Sequence, residues 1–370
     1  MKKIDNRVLI ISPERWNWQF VSKHHYAITL VKRGYQVFFL DPPNNELDDI
    51  RISDTSCRGL YHIEAPQVAK GLRFYPKSIR VSMERRWLER LEKMIGHKFS
   101  IVWLFENSRF YNMEFAGDRL KIYHQVDLNQ NLNVKDASES ADISFGTTDF
   151  IVDEIRKYRE DVYKIPHGYN GSISADPDSP LMGEIEMGFR YGINVTYIGN
   201  MNIPYLNHEL LLGLVERYRN IRFHFVGSYT SSNILYQKTV NMDNVKWWGR
   251  VDSGYITCIL KQSDILLLTY KAEEYREQLA SPHKLLEYLN SGRVTVATYT
   301  DEYKDKRELI EMVDHSNQYI DRFDEVVKNL YFYNSDDKKR DRVAFARENS
   351  YDNHLNRIFS IIKEKNLQGA

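Results

Sequence analysis

Ser281-Pro282-His283-Lys284-Leu285-Leu286-Glu287-Tyr288-Leu289-Asn290-Ser291-Gly292 is the stretch around which the rest of the chain can be ordered. Ser281 is a good N-cap and Pro282 suits the first helical position, so a helix is expected to begin there. Leu285, Leu286 and Leu289 supply one apolar face, and Gly292 marks the stop. The first turn runs against helix electrostatics. His283 and Lys284 bring positive charge to the positive end of the dipole, a conflict of about 0.3–1 kcal/mol. An anion docked there reverses the sign, because free backbone N–H groups and Lys284 would all face it. Glu287 follows Ser281 by about 9 Å along a helix axis, roughly the reach from a diphosphate to the far edge of its ribose. A carboxylate there accepts hydrogen bonds from two ribose hydroxyls, as in dinucleotide folds. A surface helix with an ordinary Lys/Glu pair is the alternative that this window alone leaves open.

The surroundings alternate short apolar runs with helical periodicity. A strand is expected at Asp264 to Leu268 just upstream and another at Val294 to Ala297 just downstream. Further runs at 195–198, 221–226 and 245–247 read as strands, with helices near 206–218, 253–262 and 283–291 between them. The N-terminal half shows the same alternation. Val8 to Ile11 and Gln36 to Leu40 flank a helix that stops at Gly34, and strand candidates follow at 101–105, 121–123, 143–145 and 162–165. Strand–helix–strand units of this kind predict parallel sheets with right-handed crossovers. From Gly171 to Gly192 the periodicity lapses and Pro177 and Pro180 appear, which reads as a linker and loop. The fold class is therefore α/β, with two Rossmann-like doubly wound domains in tandem. Ligands of such sheets sit at the carboxyl ends of the strands, so a cleft between the domains is the expected site.

Composition agrees. A chain of 370 residues exceeds one ordinary core, and 42% apolar with 28% charged residues fits a folded globular protein. The formal charge is zero, so no global field points to nucleic acid as a partner. The 25 tyrosines and 6 tryptophans suit sugar binding, but a Tyr-rich core accounts for them more simply. Cys57 and Cys258 lie far apart and outside any metal-ligand spacing, which reads as two free thiols in a reducing compartment. The apolar run after Arg7 is too short for a signal peptide, and no stretch approaches the roughly 20 apolar residues of a membrane span. A cytoplasmic protein is expected.

The order of strand, loop, helix, Glu-Tyr-Leu and Gly, then strand resembles the donor-binding element of GT-B glycosyltransferases of the family-4-like kind, glycosyltransferase group 1. The resemblance covers most of the chain. Ile198-Gly199-Asn200 is similar to the first glycine turn of that donor domain, and Trp247-Trp248-Gly249-Arg250-Val251 to the segment that reads the nucleotide base. Ile165-Pro166-His167-Gly168-Tyr169-Asn170 resembles the strand end that closes the N-terminal domain, and Tyr123-His124-Gln125-Val126-Asp127 lies where such enzymes face the acceptor. The resemblance implies an acceptor-binding domain over 1–171, a nucleotide-sugar domain over 172–345 and a helix over 346–370 packing back on the first domain. It implies donor binding by Gly199, Asn200, Arg250, Ser281, Pro282, His283, Lys284 and Glu287. Three positions depart from the family pattern. Ser12 to Trp18 replaces a glycine pair, Asn200 and Leu206 stand where an Arg and a Lys clamp phosphates, and Leu279 replaces a paired Glu. Lys284, with Lys271 or Arg276, must then neutralise the diphosphate.

The implied reaction is sugar transfer from a UDP- or GDP-linked donor to a glycan or lipid-linked acceptor, in surface polysaccharide assembly. Lys284 and the helix N-terminus would stabilise the departing diphosphate without a metal. No cofactor is expected, since the nucleotide-sugar is a substrate. The one Asp-x-Asp, Asp176-Pro177-Asp178, falls in the linker and receives no ligand role. Asp127 is the candidate base for an inverting reaction and His124 the candidate for orienting the sugar in a retaining one, though a strand-end His is commonly structural. Glu14 in the first loop could reach the cleft, but nothing in the sequence distinguishes it from a solvated loop carboxylate. From Lys70 to Lys98 nine Lys/Arg stand against three Glu, with Phe74 and Trp87 interspersed and Leu88, Leu91 and Ile95 at helical spacing. This reads either as a basic face for peripheral contact with anionic membrane, on the inner side, or as an exposed helix packing its leucines inward. A sugar-nucleotide 2-epimerase on the same fold and a catalytically silent sugar-nucleotide-binding protein remain as alternatives.

Overall fold

A computed structural model describes residues 6–17, 20–128, 132–171, 176–177, 179–190 and 192–365. The chain forms two compact units, Met1–Gly168 with Tyr351–Ala370, and Tyr169–Ser350. The changeovers fall after Gly168 and Ser350, where the sequence suggests 171 and 345. Local contacts set both points. The Tyr169 N–H donates to the Asn349 carbonyl at 2.8 Å, and a Cβ on Gly168 would meet the Tyr351 ring at 2.7 Å. Part of the expected linker, including Asp178 of the Asp-x-Asp, lies outside the described residues, as do Trp18 and the last five residues of the chain.

The first unit is built on eight strands: β1 Arg7–Ile11, β2 Gln36–Leu40, β3 Arg51–Asp54, β4 Leu60–Glu64, β5 Ile101–Leu104, β6 Leu120–Gln125, β7 Ile143–Gly146 and β8 Val162–Lys164. Their order is β3-β4-β2-β1-β5-β6-β7-β8, and every pairing is parallel except β3 against β4. The order reverses between β1 and β5, so the loops after those strands flank the switch point where such sheets take ligands. β3 and β4 do not appear in the sequence reading. β3 is an edge strand with exposed Arg51, Ser53 and Asp54, and a polar edge of this kind carries no apolar run to betray it.

Helices cover both faces, as a parallel sheet requires. Helix Lys77–Ile95 buries Leu88 and Leu91 against the face carrying Leu9 and Ile11. Helix Tyr351–Glu364 lays Leu355, Ile358 and Ile362 on the opposite face, beside Val8, Ile10 and Trp103. The leucine stripe of the basic segment is therefore core.

The second unit has six strands: β9 Asn194–Ile198, β10 Arg222–Val226, β11 Val245–Gly249, β12 Ile265–Leu268, β13 Val294–Ala297 and β14 Glu311–Met312. All pair in parallel in the order β11-β10-β9-β12-β13-β14, which puts this unit's switch point between β9 and β12. The two residues of β14 are too few for a sequence pattern. Much of the tyrosine content is core, with Tyr197, Tyr288 and Tyr319 fully buried.

Two histidines sit deep in the first unit. His124 and His354 are both fully buried, and enclosure pulls each pKa down to about 3. Neutral when folded and free to protonate below about 6.5 when unfolded, each adds stability that is complete above pH 6.5 and is lost as pH falls toward 3. Urea unfolding followed at pH 7 and pH 5 should show a lower midpoint at pH 5. His354→Leu, which keeps the volume apolar, should reduce that difference.

Candidate functional site

In the second unit the strand ends are finished by glycines. Gly199, Gly227 and Gly249 follow or close β9, β10 and β11 with φ of +152°, +134° and +67°, values that side chains rarely tolerate. The Gly199 N–H donates to the Val226 carbonyl at 2.8 Å and the Gly227 N–H to the Gly249 carbonyl at 2.7 Å. Any Cβ on Gly227 would overlap the Gly199 carbonyl. Bare backbone therefore lines the carboxyl edge. Sequence reasoning found Gly199 but not Gly227, whose role depends on a neighbour 28 positions earlier in the chain.

Helix Lys284–Ser291 begins later than expected. Its N-cap position is His283, in helical conformation and without a side-chain cap, so Ser281 does not cap the helix and Pro282 lies ahead of the first turn. Pro282 instead accepts a backbone hydrogen bond from Leu285 at 3.2 Å. Ser281 and Pro282 are half-buried, and His283 is exposed.

Two side chains of this helix, four residues apart and thus on one face, hold the last peptide groups of β9. Lys284 Nζ donates to the Ile198 carbonyl at 2.6 Å and to the Tyr197 hydroxyl at 3.2 Å. The Tyr288 hydroxyl accepts from the Ile198 N–H at 2.9 Å. The ammonium also lies 4.4 Å from the Tyr197 ring centre and 5.2 Å from that of Tyr270, a cation–π setting. A Cβ on Gly199 would collide with Nζ, which is why glycine occupies that turn. Tyr288 was given no role from sequence beyond its place in the Glu-Tyr-Leu run.

Enclosure pulls the Lys284 pKa down to about 7, with Glu287 pushing the other way. Glu287 keeps an exposed face. Protein around the rest of its carboxyl raises its pKa against the opposing pull of Lys284. Lysine and carboxylate thus interact without forming a direct ion pair among the described contacts. A half-neutral lysine beside bare backbone at a switch point suits an arriving anion, which would favour its charged form.

The remaining donor-side candidates divide. Asn200 is exposed after Gly199, and its Oδ1 accepts from the Asn202 N–H at 3.0 Å. Arg250 is exposed just past β11. Trp247 and Trp248 anchor that strand, Trp247 against Phe225 at 4.7 Å and Trp248 through Nε1 to His224 Nδ1 at 3.1 Å. Arg276 is committed to Asp301 at 2.9 Å, so it is not held in reserve for a diphosphate. Leu206 and Leu279 are core residues.

In the first unit His124 is enclosed in the core. It is fully buried, with its ring 5.2 Å from Phe105, 5.5 Å from Tyr26 and 5.6 Å from Phe145. The acceptor-orienting role is withdrawn: apolar rings hold the histidine neutral inside the core. Asp127, three residues on, emerges past the end of β6 with 46% of its side chain exposed. Lys23 Nζ stands 3.7 Å from Asp127 and 2.5 Å from Glu14. Among the described residues no group of three or more His, Cys, Asp or Glu could hold a metal ion, and no helix is long and apolar enough to cross a membrane.

Residues 192–329 match the family model described as glycosyl transferases group 1. No curated protein matches the chain. Among solved structures, sucrose-phosphate synthase from Thermosynechococcus elongatus superposes with a TM-score of 0.68 at 11% identity, covering 97% of this chain and 98% of that one. Anabaena HepE in complex with UDP-glucose gives 0.66 at 10% identity over 97% and 99%. A UDP-forming trehalose-phosphate synthase from Burkholderia xenovorans gives 0.64 at 10% identity over 97% and 98%. At such identities the likeness establishes the GT-B fold, with two Rossmann-like domains in a single chain.

The Lys284 environment sets a pH dependence. With UDP as probe, binding measured by calorimetry should weaken as pH rises from 7 to 9, by at most about tenfold per unit, and should take up protons from buffer. Lys284→Met should bind more weakly at pH 7 and show no such slope. A slope retained in that variant rules out Lys284 as the titrating group.

Proposed function

We propose that this chain, whose residues 192–329 carry the group 1 glycosyl transferase signature on a GT-B fold, transfers a sugar from a nucleoside-diphosphate donor to a hydroxyl-bearing acceptor. The observation that carries the reading is the junction of Lys284, Gly199 and Glu287 at the switch point of the second sheet. A diphosphate would replace the Ile198 carbonyl as the partner of Lys284, the exposed Glu287 carboxyl would take the ribose hydroxyls, and the 247–251 strand end would lie by the base. The likeness to HepE solved with UDP-glucose makes UDP-glucose the first donor to test.

Chemistry at the anomeric carbon then needs little from the protein beyond charge and position. The bond from that carbon to the diphosphate oxygen breaks, the electron pair leaves with the nucleoside diphosphate, and Lys284 offsets the charge that develops. The acceptor oxygen forms the new bond and yields its proton to Asp127, which later returns it to water. With His124 buried, Asp127 is the carboxylate of the β6 strand end that solvent reaches. The reading needs no metal, and transfer should persist in excess EDTA.

Incubation with labelled UDP- and GDP-sugars plus a glycan panel separates this reading from its rivals. Transferred sugar supports it; an epimerised donor points to a 2-epimerase, and binding without conversion to a silent sugar-nucleotide-binding protein. Asp127→Asn should lower transfer about 100-fold or more while leaving UDP affinity within twofold.

We further propose a peripheral contact with anionic lipid, through which a lipid-linked acceptor of surface polysaccharide assembly would be reached. Its support is the segment ahead of helix Lys77–Ile95, where Phe74 is 78% exposed and Tyr75 and Ile79 are also exposed, beside exposed Lys70 and Arg73. Aromatic and basic side chains together suit a headgroup interface. Sedimentation with phosphatidylglycerol vesicles should show salt-sensitive binding that Phe74→Glu abolishes; no binding at low salt disposes of the contact.

A further inference from the structure

Lys23 occupies a position that opposes a lysine in every local respect. It lies in the first turn of helix Ser22–Lys32, which contains no acidic residue, so its charge faces the positive end of the helix dipole. It is 1% exposed, so its ammonium is also stripped of water. Burying the ammonium carries a desolvation cost that only close counter-charges offset. The residues that offset the cost come from two different strand ends. Glu14, in the loop after β1, meets Nζ at 2.5 Å, and Asp127, past β6, stands 3.7 Å away. β5 lies between β1 and β6, so this one cation ties loops two strands apart, roughly 10 Å in sheet spacing.

The Glu14 loop is pinned around that contact. Arg109 Nη2 donates to the Ser12 carbonyl at 3.0 Å, the Trp16 N–H donates to Asp41 Oδ1 at 2.8 Å, and His24 Nε2 bonds the Arg15 carbonyl at 3.0 Å. Arg109 is itself paired with buried Glu106. The cations Lys23 and Arg109 are thus sunk beneath the edge, while Glu14 and Asp127 keep 31% and 46% of their side chains exposed. What Glu14 and Asp127 themselves offer a ligand is carboxylate oxygen, and the exposed cation beside them in the same loop is Arg15.

We infer that Lys23 is a positioning residue, which holds Glu14 and Asp127 together at the carboxyl edge of the first sheet as acceptors for the hydroxyl groups of an unphosphorylated sugar. The inference rests on the proposed transfer reaction for its substrate and on the geometry of Lys23 for its mechanism. It also separates this chain from the sugar-phosphate synthases whose fold it shares, since a phosphorylated acceptor would meet two carboxylates.

The test uses the full chain with Lys23→Met and Lys23→Arg. Hydrogen exchange of the 12–17 and 126–128 segments reads the positioning directly, UDP affinity reads the integrity of the second unit, and transfer from UDP-glucose is measured to methyl glucoside and to glucose 6-phosphate. Expected are faster exchange in both segments for Lys23→Met, UDP affinity within twofold of wild type, and at least a 30-fold loss of transfer to methyl glucoside. Lys23→Arg should restore exchange and most of the transfer, and glucose 6-phosphate should be the poorer acceptor. Unchanged exchange, or faster exchange with transfer intact, overturns the positioning role, and preference for glucose 6-phosphate overturns the substrate class. Absence of transfer and of UDP binding in the wild type would instead count against the glycosyltransferase reading, with exchange still deciding whether Lys23 joins the two loops.

Discussion

Lys284 and Tyr288 reach across from one helix to grip both sides of the Ile198 peptide region, the ammonium on its carbonyl and the phenol on its N–H. Few contacts fix so much. They lock the start of helix Lys284–Ser291 to the end of β9, and β9 is the strand beside the switch point of its sheet. They force glycine at 199, because the lysine passes where a Cβ would stand. They also leave an ammonium enclosed by tyrosine rings with no carboxylate bonded to it, so its charge is only weakly held. Bare backbone and a poorly compensated lysine at one strand end are what the proposed diphosphate would meet.

The first unit solves the same electrostatic problem the other way. Lys23, like Lys284, is an enclosed lysine in the first turn of a helix, where the dipole is against it. Here the compensation is ionic, from Glu14 and Asp127. One unit therefore shows a cation that lacks its counter-charge and the other shows carboxylates whose counter-charge is already buried. The first arrangement suits a diphosphate and the second suits hydroxyl groups. The difference between the two lysines lies in their partners, and the folds alone would not reveal it.

Elsewhere other cations have partners of their own. Arg276 is bound to Asp301, and the guanidinium of Arg342 is buried, donating to the Leu309 and Gly292 carbonyls at 3.0 and 3.1 Å. The basic run from Lys70 is partly consumed in the same manner, with Arg80 stacked 4.2 Å from the Tyr111 ring and Lys77 paired with Glu114 at 2.9 Å. Phe74, Tyr75 and Ile79 stay outward in that region beside exposed Lys70, Arg73, Arg86 and Lys93, so its contribution to a surface is aromatic as well as basic.

The two α/β domains and the helix at Lys284–Ser291 were legible from the residues alone, because buried parallel strands such as Ile265–Leu268 and Val294–Ala297 are unbroken apolar runs and the spacing of Lys284 and Glu287 is fixed by the helix they share. Sequence alone did not reveal the polar edge strand Arg51–Asp54, nor that Ser281 stops short of capping, since both depend on what packs beside them. The different surroundings of His124 and Asp127 come from the folded chain: His124 lies within β6 and is closed in by Tyr26, Trp103 and Phe105 arriving from elsewhere, whereas Asp127 lies past the end of the strand and is partly exposed. The partners of Lys23 and Lys284 were equally out of reach. They come from residues 9 and 104 positions from Lys23, and 86 positions from Lys284, and a buried charge takes its meaning from its nearest neighbours in space.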